Sequence, residues 1–402
     1  MTVTVDAALA DGTTCHACGE PVSPGERYCE SCGAELLPAG ASGTPAGPAG
    51  GAPSPAAVLT ATPDLDAEPG ACRACAGGIA DDGYCQVCGT PAVRPRDHWV
   101  EQPASWVAAA CDRGVRHHRN EDAVALAATP GGISGQTGGR GRYAVLVVCD
   151  GVSSSADSDV ASLAAARSAR DVLAAEPIDA LAGDGGPVAQ DPAAQDPVAQ
   201  DPGSQNPGSQ DRTRAGIVGA QVLAGRLRRA AKAADARVRA SAGSPPSPNP
   251  PACTFAAAVV NGALLVAGWV GDSRVYWLAD DGPAVQLSVD DSWASEQVDL
   301  GMPREEAEHG PHAHKITRWL GLDSPDAVPR TASTGLTAAG WVLVCSDGLW
   351  NYCSPAAGLR DLVREVVAAA GSEPAAVAGE LVTWANRQGG QDNITVALAR
   401  IA

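Results

Sequence analysis

The sequence predicts an α/β protein that follows two small cysteine-rich modules. From about Ser105 onward, short apolar runs typical of buried strands alternate with alanine-rich stretches typical of helices. Before that point the chain carries two matching cysteine quartets, separated by a segment rich in proline, glycine and alanine. The 402 residues are enough for one domain of ordinary size together with appended modules.

Turn and breaker residues delimit the elements of the main domain. The strand predictions are residues 143–149, 253–260, 263–270, 341–345 and 394–401, and the helix predictions are residues 160–176 and 214–241. A low-complexity insertion at 182–213 repeats a five-residue unit that contains Gln-Asp-Pro. Because repeated proline prevents a helix, we expect an exposed loop there.

Composition argues against two classes of partner. The net charge of −18 disfavours both nucleic acid and anionic membranes. Residues 252–270 lack charge and are long enough to span a bilayer, but Asn261-Gly262 in their middle is a strong hairpin signal. We therefore predict two buried strands and a tight turn. The chain opens without the pattern of a signal peptide, so we expect a cytoplasmic protein.

The two N-terminal modules each consist of C-x2-C, a spacer and C-x2-C. Four thiolates at this spacing can surround one Zn²⁺ ion tetrahedrally, so each module predicts one structural zinc site. Unpaired or disulfide-bonded cysteines are the alternative, but the duplication and the missing secretory signal favour zinc. The pair resembles the double zinc ribbon. The eight predicted ligands are Cys15, Cys18, Cys29, Cys32, Cys72, Cys75, Cys85 and Cys88.

The modules and their linkers occupy the first quarter of the chain. The predicted boundaries are a first ribbon at 1–36, a disordered linker at 37–70, a second ribbon at 71–93, a short linker at 94–104 and the main domain at 105–402. Residues 1–99 hold 12 Asp/Glu against 4 Lys/Arg, which suits a protein partner rather than nucleic acid. Structural zinc takes no part in chemistry, so we expect residues 100–402 to act without the modules.

Carboxylates recur at or near the ends of the predicted strands. Any single Asp-Gly after a strand is usually only a turn. Several carboxylates directed at one point, however, would repel one another unless cations neutralise them, and oxygen donors favour Mg²⁺ or Mn²⁺ over zinc. The motifs are Arg119-Asn120-Glu121-Asp122, Cys149-Asp150-Gly151, Gly271-Asp272-Ser273-Arg274, Ser346-Asp347-Gly348 and Gly390-Gln391-Asp392-Asn393.

In this order along the chain, the motifs resemble the series found in type 2C (PPM) metal-dependent serine/threonine protein phosphatases. The resemblance covers residues 105–402. It implies a four-layer α-β-β-α sandwich, with two central antiparallel sheets flanked by helices. It also implies hydrolysis of phosphoserine and phosphothreonine on proteins, by a metal-bound hydroxide in a site of two Mn²⁺ or Mg²⁺ ions and a weaker third ion.

The resemblance assigns the metal ligands residue by residue. Asp150 would bridge two ions, and the Gly151 carbonyl would bind one of them. Asp347 and Asp392 would hold the second ion. Asp272, together with Asp347, would hold the third.

The same resemblance implies supporting roles around residues 116–121. Glu121 would anchor metal-bound water, and Asn393 would orient the aspartate before it. The family usually has an arginine four residues before the glutamate, where this chain has His117. Either His117 or a neighbouring arginine, Arg116 or Arg119, would then contact the phosphate.

Two alternatives stay open at this point. The chain could be a catalytically weak or inactive protein that binds phosphoproteins and keeps the fold, although retention of the metal aspartates favours catalysis. His309, His312 and His314 could form a zinc site, although solvated loop histidines are the simpler interpretation.

Overall fold

A computed structural model describes residues 13–14, 21–22, 58–60, 63–65, 70–72, 74–80, 83–90, 92–130, 142–175, 207–243, 247–308, 310, 312–313 and 315–402. The chain divides into two compact units, Met1–Ser54 and Pro55–Ala402. In the first unit the described residues form one antiparallel hairpin of two short strands.

The strands and helices of the described residues are numbered in chain order. The strands are β1 (Thr13–Thr14), β2 (Pro21–Val22), β3 (Leu59–Thr60), β4 (His98–Ala104), β5 (Val107–Asp112), β6 (Ala123–Ala128), β7 (Tyr143–Cys149), β8 (Ala252–Cys253), β9 (Phe255–Asn261), β10 (Leu264–Val270), β11 (Arg274–Ala279), β12 (Ala284–Gln286), β13 (Leu320–Gly321), β14 (Arg330–Gly335), β15 (Gly340–Cys345) and β16 (Ile394–Ile401). The helices are α1 (Ser158–Ala174), α2 (Pro207–Ala240), α3 (Trp293–Asp299), α4 (Arg304–Glu308), α5 (Asp347–Trp350), α6 (Ala356–Ala370) and α7 (Pro374–Gln388), with a 3₁₀ turn at Pro95–Asp97.

The second unit is a sandwich of four layers. One six-stranded antiparallel sheet has the order β14-β10-β9-β7-β6-β3, and a second has the order β12-β11-β15-β16-β5-β4. Helices α1 and α2 cover the outer face of the first sheet, and α6 and α7 cover the outer face of the second. The predicted α-β-β-α architecture is therefore confirmed for this unit.

The central strands are buried on both faces, which explains their sequences. Every residue of β6 and β7 is buried, and these strands carry continuous runs of Ala, Val and Leu rather than alternation. One apolar core lies between the two sheets and extends under α1 and α2, and another lies between the second sheet and α6 and α7. This rigid frame fixes the strand ends, from which the acidic motifs emerge.

The apolar stretch 252–270 forms the predicted hairpin of β9 and β10 rather than a membrane span. Leu264 pairs with Asn261, so the loop residues are Gly262 and Ala263, and Gly262 adopts a φ of +59°. Asn261 is the last residue of β9, so the turn lies one position later than the predicted Asn261-Gly262. Within the described part of the chain, no helix is both long enough and apolar enough to cross a bilayer.

Three segments differ from the sequence-based boundaries. Residues 98–104, assigned to a linker, form β4, the outer strand of the second sheet, where Pro103 is tolerated because an edge strand need not donate every N–H. Residues 59–60, also assigned to a linker, form β3 on the edge of the first sheet. Helix α2 begins at Pro207, inside the predicted insertion 182–213, whose residues 182–206 lie outside the described part.

Candidate metal centre and catalytic cleft

Four aspartates converge at one end of the two sheets. Asp150 follows β7 of the first sheet, and Asp272 lies in the turn from β10 to β11, where the chain passes from the first sheet to the second. Asp347 follows β15, and Asp392 precedes its antiparallel neighbour β16. Both sheets therefore contribute aspartates to the cluster.

The pKa shifts of these carboxyl groups reflect their proximity. Burial, followed by the charges of neighbouring aspartates, raises the pKa of Asp150 well above its ordinary value. Burial, followed by the charges of Asp392 and Asp272, does the same to the pKa of Asp347. Burial, followed by the charge of Asp290, raises the pKa of Asp272 to about 7. Such a cluster stays ionised at neutral pH only when cations offset its charge.

The oxygen donors in this cluster fit a hard divalent cation. Asp347 Oδ2 accepts a hydrogen bond from Asn351 Nδ2 at 3.0 Å, whereas Asp347 Oδ1 is buried without a hydrogen-bond partner. An unpaired buried oxygen is costly, and cations of the Mg²⁺ and Mn²⁺ class take such oxygens as ligands. Among the described residues, only the second cysteine quartet brings three or more ligand atoms within 4.8 Å of one another. The carboxylate oxygens are therefore less tightly grouped than the four thiols, and Mg²⁺ commonly completes its ligand shell with water.

Gly151 is required by a close approach of two chain segments. A Cβ at this position would lie 2.7 Å from the Glu121 carbonyl oxygen and 2.9 Å from that of Ser158. On the other side, Asp150 donates its N–H to Thr254 Oγ1 at 3.0 Å, and the Thr254 N–H donates to the Asp150 carbonyl at 2.7 Å. Buried Thr254 therefore positions the backbone of Asp150.

Glu121 is buried and fixed through its side chain and its backbone. Arg119 Nη2 and Ser158 Oγ donate to Glu121 Oε1 at 2.7 and 2.8 Å. The Glu121 N–H donates to Asn393 Oδ1 at 2.7 Å. Burial acts to raise the pKa of Glu121, but hydrogen bonds from Ser153, Ser158 and Arg119 outweigh it and bring the pKa below its ordinary value. The carboxylate is therefore held ionised at the edge of the cluster.

Asn393 connects the start of β16 to the loop that carries Glu121. Its Nδ2 donates to the carbonyl oxygens of Arg113 and Arg119 at 2.7 and 3.1 Å. Its backbone N–H donates to Asp392 Oδ1 at 2.8 Å. Asn393 thus contacts Asp392, the aspartate that it was expected to orient. It also holds the segment 113–121 in place through its side chain.

Asp122 is a site residue that the sequence motifs alone did not single out. It is fully buried, and its Oδ2 accepts hydrogen bonds from Ser346 Oγ at 2.6 Å and Thr395 Oγ1 at 2.7 Å. Burial raises the pKa of Asp122 to about 6 in spite of these bonds. Because Ser346 precedes Asp347 and Thr395 lies at the start of β16, Asp122 ties the two strand ends together. Its place in the motif Asn120-Glu121-Asp122 was the available signal.

The basic side chains of Arg116, His117 and Arg119 differ in whether a carboxylate already binds them. His117 lies inside the acidic cluster, with Nε2 3.2 Å from Asp392 Oδ1 and Nδ1 3.8 Å from Glu121 Oε2. Arg119 is held by Glu121. Arg116 is exposed, and its guanidinium makes no hydrogen bond or ion pair with any described residue. Of these three, Arg116 alone has an unengaged charge.

A cleft of about 560 Å³ opens beside Asp347 and Asp392. Behind it, the buried Arg274 forms an ion pair with Asp290 at 2.6 Å and lies 3.6 Å from the centre of the Trp350 ring. Glu308, at the end of α4, contacts Ser354 at 3.1 Å and so fastens this helix to the rim. The cleft is therefore walled on one side by rigid groups.

The histidine cluster beyond α4 falls mostly outside the described residues. His309 and His314 are not described, and His312 packs edge-to-face on Trp293 with 5.6 Å between ring centroids. A zinc site at these histidines therefore stays an untested alternative.

The second cysteine quartet brings its four thiols within 4.8 Å of one another, close enough to hold one metal ion. The Sγ–Sγ distances are 3.6 Å for Cys72–Cys88 and 3.4 Å for both Cys75–Cys85 and Cys75–Cys88. A tetrahedron with Zn–S bonds of about 2.3 Å has edges of about 3.8 Å. The Val87 N–H also donates to Cys85 Sγ at 3.4 Å. The four residues of the first quartet lie outside the described part of the chain.

The four-layer fold and its acidic cluster are recognised in a comparison with known protein families. A family model described as protein phosphatase 2C matches residues 118–385. The chain belongs to the protein phosphatase 2C family.

Curated relatives match over part of their length. The serine/threonine phosphatase stp of Listeria innocua is 34% identical over 146 residues, which are 36% of this chain and 55% of that protein. The protein phosphatase PhpP of Streptococcus pneumoniae is 34% identical over 130 residues, 32% of this chain and 50% of that protein. The chain thus spans about half the length of the curated relatives it matches.

Solved structures agree on the fold. The serine/threonine phosphatase Stp1 of Staphylococcus aureus aligns with a TM-score of 0.52 at 20% identity, covering 74% of this chain and 94% of that structure. The S. agalactiae serine/threonine phosphatase aligns with a TM-score of 0.50 at 20% identity, covering 76% and 100%.

Proposed function

We propose that this chain hydrolyses phosphoserine and phosphothreonine esters on proteins, using two Mn²⁺ or Mg²⁺ ions and a weaker third ion. The carboxylate cluster carries the proposal, because aspartates whose burial and mutual repulsion raise their pKa stay ionised together only around cations. Asp150, Asp347 and Asp392 would hold the two main ions with the Gly151 carbonyl, and Asp272 with Asp347 the third. When bound, the ions would supply positive charge to the phosphoryl oxygens and lower the pKa of a bound water.

The residues of the chain would orient this site and limit its motion. Glu121, held ionised by Arg119 and Ser158, would accept a hydrogen bond from a water beside Asp150. Asp122 and Asn393 would keep the strand ends from separating when the cations bind. Such preorganisation lets fixed charges act without a reorganisation cost during the reaction.

For the phosphate contact, the geometry favours Arg116 over His117. Arg116 is exposed and unengaged among the described residues, and its backbone N–H donates to the Gly390 carbonyl at 3.1 Å, beside Asp392. His117 is already placed between Asp392 and Glu121. An arginine keeps its charge at every physiological pH and binds phosphate oxygens in pairs.

The cysteine modules would each hold one structural Zn²⁺ ion, and their acidic surface would dock a protein partner. The thiol spacing of the second quartet supports the first part, and the charge balance of residues 1–99 supports the second. By its match to the second, the first quartet would behave in the same way.

The alternative is a protein that binds phosphoproteins without hydrolysing them. The test is release of inorganic phosphate from a phosphothreonine peptide by the full chain with Mn²⁺, with Mg²⁺ and with excess chelator. We expect turnover with either ion and none with chelator. Tight peptide binding without turnover in Mn²⁺ would support the alternative.

A further inference from the structure

The second cysteine module connects the outer strands of the two sheets. On its N-terminal side, β3 pairs with β6 at the edge of the first sheet, and Leu65 is buried in the apolar core that extends from between the sheets to under α1 and α2. On its C-terminal side, β4 pairs with β5 at the edge of the second sheet. The module at residues 72–90 is therefore the connection between two strands that belong to the catalytic fold.

Arg96, eight residues after the last cysteine, binds the loop that carries Glu121. Its Nε donates to the Asn120 carbonyl at 3.0 Å, and its Nη2 donates to the Asp122 carbonyl at 3.2 Å. The same Nη2 donates to the Asp159 carbonyl in the first turn of α1 at 2.5 Å. The Asn120 side chain returns a hydrogen bond to the Arg96 carbonyl at 3.0 Å.

These contacts hold the backbone on both sides of Glu121. Between the two carbonyls that Arg96 binds, the Glu121 carbonyl accepts Ser162 Oγ at 2.5 Å, and Ser162 also receives a bond from Arg96 at 3.3 Å. Glu121 is therefore fixed to α1 directly by Ser162 and indirectly by Arg96. Movement of Arg96 would release the backbone from which the Glu121 carboxylate projects.

Arg96 is in turn joined to the cysteine module by short backbone links. The Ala92 N–H donates to the Gly83 carbonyl at 2.8 Å, inside the module. The Arg94 N–H donates to Asp97 Oδ2 at 2.9 Å, and the Asp97 carbonyl accepts the Arg113 N–H at 2.8 Å. The segment from 92 to 97 is thus anchored at both ends and has little freedom to adjust.

We propose that zinc in the second cysteine module sets the position of Arg96 and, through it, the geometry of Glu121 in the acidic cleft. Arg96 is then a positioning residue, and loss of zinc loosens the cleft without touching a metal ligand of the cluster. This inference rests on the proposed function for its two metal sites, and the exchange measurement below tests it without turnover. It also revises the expectation for residues 100–402, since a chain beginning at 100 lacks Arg96 and starts inside β4.

The test is a double-mutant cycle in the full chain, with Mn²⁺ affinity measured by titration calorimetry. The variants are Arg96→Ala, the pair Cys75→Ser/Cys88→Ser, and all three changes together. Loss of an outer contact around a metal site weakens metal binding about 10- to 100-fold, so we expect about a 10-fold loss in Arg96→Ala. The cysteine pair should shift the affinity in the same direction. The triple variant should bind as Arg96→Ala does, because both changes act through one contact.

Hydrogen exchange supplies a readout independent of catalysis. The amides of Glu121 and Asp122 donate to Asn393 Oδ1 and Asn120 Oδ1, and we expect their exchange to accelerate in Arg96→Ala and in the cysteine pair. Arg94→Ala is the matched control, since Arg94 lies in the same segment but makes none of the contacts to residues 120–122. Arg96→Lys, which retains the charge but not the planar fork, should give an intermediate affinity.

Three results would overturn the proposal. They are unchanged Mn²⁺ affinity in folded Arg96→Ala, additive losses in the triple variant, or unchanged Glu121 exchange when zinc is lost. If Arg96→Ala does not fold, Arg96→Lys takes its place in the cycle, and the same outcomes test the proposal. If neither the parent chain nor any variant releases phosphate, the proposed function is wrong. The Mn²⁺ affinities and the exchange rates of the Glu121 and Asp122 amides still test whether the cysteine module acts through Arg96.

Discussion

Replacing Glu101 by glutamine should change how the stability of the protein depends on pH. Glu101 lies on β4, is 2% exposed, and accepts the Leu126 N–H at 3.1 Å through Oε2, so it joins the second sheet to the first. Burial raises the pKa of Glu101 from 4.5 to about 8, although the Leu126 bond and nearby arginines oppose the shift. The folded protein therefore keeps a proton on Glu101 at neutral pH.

The sign and size of the effect follow from this raised pKa. Below pH 4.5 both the folded and the unfolded chain carry the proton, and the contribution of Glu101 to stability is fully present. As pH rises toward 8, the unfolded chain ionises first, and stability falls by up to about 1.4 kcal/mol per pH unit. Between pH 5.5 and 7.5 the parent protein should lose about 2–3 kcal/mol more than Glu101→Gln, which cannot ionise.

The assay is urea unfolding of both proteins at pH 5.5 and 7.5 in matched buffers. Contributions from the aspartate cluster and from bound metals are common to both proteins and cancel in the difference. Glu365→Gln, at an exposed position of α6, should follow the parent protein at both pH values. If the free energy of unfolding changes equally with pH in Glu101→Gln and in the parent protein, Glu101 is not protonated in the folded protein.

Two further predictions concern the phosphate contact and the zinc modules. Arg116→Ala should raise KM for a phosphothreonine peptide about 10- to 150-fold with little change in kcat, because it removes one charge-assisted contact of about 1.5–3 kcal/mol; a larger KM effect in His117→Ala would assign the contact to the histidine. The reduced full chain should contain two zinc ions by elemental analysis, and Cys75→Ser/Cys88→Ser should contain one. An unchanged zinc content in that double variant would exclude the second quartet as a ligand set.

The clustered aspartates were predictable because each lies where an apolar strand meets a turn. The continuous apolar runs predicted to end at Cys149 and Cys345 are β7 and β15, and the aspartates follow within two residues. Antiparallel pairing of β15 and β16 then brings Asp347 and Asp392 to one edge. Local sequence was sufficient for this part of the site.

The supporting contacts were not predictable in the same way, because they join segments far apart in the chain. Arg96 contacts Asp159 across 63 residues, and no local pattern marks its role. Strand β4 was hidden by Pro103 and by Glu101, a carboxyl group at a buried position of an edge strand. Its burial alternates along the strand, but apolar Val100 is exposed and Glu101 is buried, so apolar and polar residues do not alternate in the sequence itself.

The central claim is that the aspartate cluster holds divalent cations that are required for phosphate ester hydrolysis. It is tested most directly by Mn²⁺-dependent phosphate release from a phosphothreonine peptide by the parent chain, Asp347→Asn and Asp281→Asn, an exposed aspartate outside the cluster. We predict Mn²⁺-dependent turnover for the parent chain and for Asp281→Asn. Asp347→Asn should stay folded, and its turnover should fall by at least about 100-fold. Undiminished turnover in Asp347→Asn, or in the parent chain with excess chelator, would contradict the claim.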